Sequence, residues 1–169
     1  MPIGAQTSGI ADATVTVVCL DALEQGDMSG HIYNRYAQEI PHFHGIVELA
    51  SRMERVFDAV KFPQRALEPR HFQHAPTPKK AAANREGRIQ MQNINLEAQQ
   101  GQKATFIVQV QFRQNATWQG TVNWAETKKT QHFRSMLELI RLMDEALEET
   151  GGEPLARWKP FQSEKEEQK

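Results

Sequence analysis

A chain of 169 residues is long enough for one domain, or for two small lobes sharing one core. Apolar residues make up 39% and charged residues 24%, which excludes wholesale disorder, and a formal net charge of −1 excludes a global pull toward DNA or an acidic membrane. One cysteine excludes an internal disulfide, and without a long apolar run or a leader pattern the reading is a cytoplasmic protein with no membrane contact.

In chain order, strands are predicted near 13–20, 30–36 and 39–43. Cys19 sits in the first of these apolar runs, as a buried and inert thiol. A helix follows, with Gly45 as its N-cap and Glu48 three residues on. Its apolar stripe is Ile46, Val47, Leu49, Ala50, Met53, Val56, Phe57 and Val60, and Lys61-Phe62-Pro63 closes it. From Lys61 to Arg88 seven Lys and Arg stand against two Glu, and residues 74–88 read as an exposed linker. Ile89, Met91, Ile94 and Leu96, with one phase slip, predict a strand carrying a bulge.

Residues 104–113 then alternate, with Phe106, Val108, Val110 and Phe112 on one side and Ile107, Gln109, Gln111 and Arg113 on the other. Gln114 to Thr117 reads as a hairpin turn, after which Trp118, Gly120, Val122 and Trp124 share a face opposite Gln119, Thr121 and Asn123. A short strand through Thr130 to Phe133 leads to Ser135-x-x-Glu138, a capping box, and to a second amphipathic helix stopped by Gly151-Gly152.

The chain also repeats itself. Shifted so that Phe43 falls on Phe133, Gly30 meets Gly120, His42 meets His132, Glu48-Leu49 meets Glu138-Leu139, and Met53 meets Met143. Upstream, one residue of slippage sets Ala13-Thr14-Val15 on Ala104-Thr105-Phe106. The expected fold is therefore α+β: a tandem duplication of an antiparallel β-meander plus helix (β-β-β-(β)-α twice) about a pseudo-twofold axis. Its parts are a first repeat at 1–62, a basic connector at 63–88, a second repeat at 89–152 and a tail at 153–169 with a disordered end. In element order this resembles the duplicated β-β-β-β-α architecture of the Whirly-type single-stranded DNA-binding proteins. No residue motif of that family is present, so the resemblance assigns no functional residue.

No Walker loop, dinucleotide fingerprint, Cys-x-x-Cys or nucleophile elbow occurs, and the capping roles of Ser135, Glu48 and Glu138 account for those residues without catalysis. A non-enzymatic chain with no cofactor is expected. His42-x-His44 and His71-x-x-His74 have spacings that could share a metal. Neither pair has a further ligand at a recognised spacing, and Arg134 replaces His44 in the second copy, so no metal is assigned. The outer sheet faces would carry Gln90, Gln92, Gln109, Gln111, Arg113, Gln119, Thr121 and Asn123 from the second copy, and Thr16, Val18, His31, Tyr33 and Arg35 from the first. Aromatic rings, a guanidinium and planar amides are the groups that stack on and hydrogen-bond to unpaired bases, although a wet polar face needs no ligand.

The leading expectation is single-strand nucleic-acid binding. Tyr33 and Arg35 would clamp bases, and Lys79, Lys80, Arg85 and Arg88 would neutralise phosphates. The alternative is a protein-interaction, adaptor or inhibitor module, as a monomer or a homo-oligomer. It would use the same faces or the hairpin tip from Arg113 through Asn115 to Trp118, where Trp118 either makes a contact or covers the open end of the core.

Overall fold

In a computed structural model, residues 14–24, 27–37, 40–70, 72 and 92–151 are described. The strands are β1 (Val15–Glu24), β2 (Asp27–Tyr33), β3 (His42–His44), β4 (Ala104–Phe112), β5 (Gln119–Trp124) and β6 (Lys129–Phe133). Among the described residues the helices are α1 (Gly45–Val60) and α2 (Met136–Glu149), with a 3-10 turn at Leu96–Ala98. The fold is α+β, a six-stranded antiparallel sheet in the order β3-β2-β1-β4-β5-β6. One buried cluster takes Leu49, Met53 and Phe57 from α1, Leu139, Met143 and Leu147 from α2, and the inward residues of five strands and β3 Phe43. Both helices therefore cover the same side of one continuous sheet.

The two halves meet at the β1–β4 junction, where Val17 pairs with Ile107 and Thr16 with Val108. Corresponding irregularities follow. β1 shifts register between Leu20 and Ala22, and β4 shifts between Val110 and Phe112, so Asp21 and Gln111 are the extra residues of two equivalent bulges. Gly30 pairs with Phe43 and Gly120 with Phe133. A Cβ on either glycine would stand 1.9 Å from a main-chain oxygen of the neighbouring strand, Cys19 O or Gln109 O. That crowding gives a physical reason for glycine at both places.

Several expectations need correcting. β1 to β4 match without any slip, because their bulges coincide. Residues 92–95 form no strand and Leu96 opens the 3-10 turn, so among the described residues each half contributes three strands; Ile89 and Met91 of the expected strand lie outside the described residues. Arg65, in the segment expected as a basic connector, makes an isolated parallel bridge to Arg113. Thr16 and Val18 point to the helix side: Val18 faces Ile32 and Phe106 in the core, while His31 and Tyr33 face Cys19 and Val17 on the other side. The α1 stripe is narrower than predicted, since Val47 is exposed, as is Leu137 at the matching position of α2. His44, not Gly45, is the N-cap of α1, and Gly45 opens the helix at φ 76°, a left-handed value that favours glycine. Ser135 caps α2 as expected, its Oγ accepting from Glu138 N at 3.1 Å. Gly151, at φ 77°, follows the helix end.

Candidate binding face and hairpin tip

The face away from the helices is built by cross-strand pairing. One row runs Tyr33–Val17–Ile107–Asn123–Thr130 across five strands. A second runs Val15–Gln109–Thr121–His132, and a third runs His42–His31–Cys19–Thr105. Val17, Cys19 and Thr105 are buried, whereas His31, Tyr33, Gln109, Thr121 and Asn123 are half-buried and His42, Thr130 and His132 exposed. Asn123 Nδ2 donates to Thr130 Oγ1 at 2.8 Å, which orients one amide on this surface. Burial, with Asp21 and Glu126 adding to it, pushes the Cys19 thiol up to about 11. Burial also raises the Tyr33 phenol, with Cys19 and Asp21 reinforcing it. Both groups stay protonated at neutral pH.

Four of the expected binding residues thus share one surface: His31, Tyr33, Gln109 and Asn123. Arg35 lies just beyond β2, where its carbonyl accepts from Gln92 N at 2.7 Å. Gln111 is the exposed extra residue of the β4 bulge. Past it the phase reverses. Phe112 turns outward, 54% exposed, and Arg113 turns to the helix side, 4% exposed. This overturns the placement of Arg113 on the outer face, because one inserted residue moves every later side chain to the other face. Lys79, Lys80, Arg85 and Arg88, with Gln90, His71 and His74, lie outside the described residues.

The hairpin tip is held from the helix side. Arg113 Nε donates to Pro63 O at 2.7 Å, and its Nη1 reaches Glu54 Oε2 at 3.0 Å and Asp58 Oδ1 at 2.6 Å. Arg65 shares the same two carboxylates, at 2.5 Å from Glu54 and 3.0 Å from Asp58. Trp118 Nε1 also donates to Glu54, and its ring meets Phe57 edge-on with centroids 5.6 Å apart. Of the two readings of Trp118, the one that has it cover the end of the core is observed. Asn115 and Ala116 hold the turn at φ 53° and 56°, with Thr117 N donating to Gln114 O at 3.1 Å, a left-handed two-residue turn. Beside this tip lies a cavity of about 730 Å³ lined by Glu54, Arg65, Leu67, Arg70, Asn115 and Trp118, among others.

At the opposite end of the outer face, β3 supplies two imidazoles. Phe43 points into the core, so His42 and His44 both point out, and His31 stands across from His42. The ring centroids of His31 and His42 are 4.8 Å apart, those of His42 and His44 4.4 Å, each pair edge to face. His31 Nδ1 lies 2.6 Å from Asp21 Oδ2. The polar-apolar-polar order of His42, Phe43 and His44 signals one shared face; the partnership with His31 and Asp21 comes only from strand register.

Among the described residues no helix is long and apolar enough to cross a membrane. Compared with protein-family models, curated proteins and solved structures, the chain matches none.

Proposed function

We propose that the chain is a duplicated β-β-β-α unit, its halves related by a pseudo-twofold axis near the Val17–Ile107 pair, and that it acts as a non-enzymatic cytoplasmic binder of single-stranded nucleic acid. The duplication is supported by the coincident bulges at Asp21 and Gln111 and by the matching glycine–phenylalanine pairs. The binding reading rests on one observation: both helices cover one side of the sheet, and strand register sets His31, Tyr33, Gln109, Thr121 and Asn123 on the other side, around the buried Val17, Cys19 and Thr105. Six strands spaced at ~4.8 Å make the sheet roughly 24 Å across. Tyr33 offers a stacking surface, the amides offer paired donors and acceptors, and Arg35 with Lys79, Lys80, Arg85 and Arg88 supplies phosphate contacts.

The test is a gel-shift series with single-stranded oligonucleotides at two salt concentrations. Binding should weaken steeply with salt, and Tyr33→Ala should cost about 1–3 kcal/mol of affinity. No shift at low salt overturns the reading. A second reading, docking of a protein partner, is favoured by the cavity beside the 114–117 turn and by the exposed Phe112. Such an interface responds little to salt.

A further inference from the structure

We propose that His31, His42 and His44 form a binding site for a divalent transition-metal ion of the zinc, nickel or copper class, with Asp21 as the positioning residue. The proposal does not depend on the nucleic-acid reading. Three imidazoles on two neighbouring strands lie in successive edge contact at 4.8 Å and 4.4 Å between centroids. Two nitrogens bound to one tetrahedral ion at about 2.0–2.1 Å each lie roughly 3.4 Å apart, a separation that rings this close reach by turning about their side-chain bonds. Asp21 engages His31 through Nδ1, so the free lone pair of that ring is on Nε2, the orientation in which a carboxylate behind a histidine raises its strength as a ligand. His42 and His44 are exposed, which leaves an entry path and room for water in the remaining coordination position.

The second half of the chain provides an internal control. It keeps the backbone but has Gln111, Thr121 and Arg134 at the positions of Asp21, His31 and His44, and keeps only His132. The imidazole cluster is therefore not required by the fold. Among the described residues no three metal-ligating groups already converge on one point. Binding thus requires the rings to rotate toward the ion, and the site is a moderate-affinity one.

The experiment is calorimetric titration of Zn²⁺ into the full chain, stripped of metal and free of an affinity tag. At about pH 7.5 one ion should bind per chain, and at about pH 5.5, below the ordinary imidazole pKa, affinity should fall at least about tenfold. His31→Gln, His42→Gln and His44→Gln should each weaken binding by about tenfold or more, and Asp21→Asn by less, because it only orients a ligand. His132→Gln and the double variant His71→Gln with His74→Gln should bind as the parent does. Circular dichroism of each variant separates loss of the site from loss of the fold, and shifts of the His31, His42 and His44 ring signals on adding Zn²⁺ give a second readout. Absence of saturable binding at the higher pH overturns the proposal. So does unchanged affinity in His42→Gln and His44→Gln, or a loss that falls on His71 and His74 instead.

Discussion

The first and second hairpins end on the same backbone device with opposite chemistry. After the bulge at Asp21, the inward pair closing the first hairpin is Leu23 across from Met28, both packed on the core. After the bulge at Gln111, the matching positions hold Arg113 and Trp118, both 4% exposed and both hydrogen-bonded to Glu54 of α1. One tip packs an apolar pair on the core, whereas the other ties a buried cation to α1 and to the chain leaving it at Pro63. The difference shows that matching strand register constrains where a side chain points and leaves open what the side chain is. A guanidinium is tolerated in the second tip because two carboxylates and a main-chain carbonyl satisfy it there.

The equivalence of the halves is tested most severely at their shared glycines. Gly30→Ala and Gly120→Ala each place a methyl group 1.9 Å from a strand oxygen, so both should destabilise the chain by on the order of 3 kcal/mol or more in denaturant unfolding. A variant that costs much less than its counterpart would break the correspondence between the two junctions.

The contrast between the tips is sharpened by Arg113→Leu, which writes the first tip's residue into the second. Asp58 would keep Arg65, Glu54 would keep Arg65 and Trp118 Nε1, and Pro63 O would lose the Arg113 donor. Because those carboxylates are partly exposed, the expected cost is about 2–3 kcal/mol, below that of breaking a fully buried pair. An unchanged unfolding midpoint would mean that the second tip is held by Trp118 alone.

The smallest effect concerns the helix starts. Glu138 accepts from the Arg134 side chain and from Arg134 N, which holds its carboxyl at about 2. Glu48 is lowered in the same sense by His44 N and then by Arg52. A carboxylate depressed in the folded state contributes stability that is fully present above its unfolded pKa, about 4.3, and is lost as pH falls toward the folded value. Glu138→Gln should therefore flatten the acid limb of the stability profile between about pH 4.3 and pH 2, while Ser135 Oγ keeps α2 capped. An acid limb identical to the parent's would assign that slope to other carboxylates.

Much of this architecture is legible in the residues themselves. The alternation of Phe106, Val108 and Val110 against Ile107 and Gln109 defines a half-buried strand, the spacing of Leu49, Met53 and Phe57 defines a helix, and the recurrence of Gly30 and Gly120 marks equivalent positions. Such patterns depend on contacts within a few residues, which sequence spacing encodes directly. What only the tertiary structure decided is which side of the sheet each residue occupies and whom it meets. A strand has a period of two, so the unpredicted bulge at Gln111 sends Arg113 inward and Phe112 outward. In β1 the pairing with β2 assigns Thr16 and Val18 to the core instead of to the face of His31. The meeting of Asp21, His31, His42 and His44, and of Glu54 with Arg113 and Trp118, joins residues far apart along the chain, and their positions depend on strand register rather than on local preference.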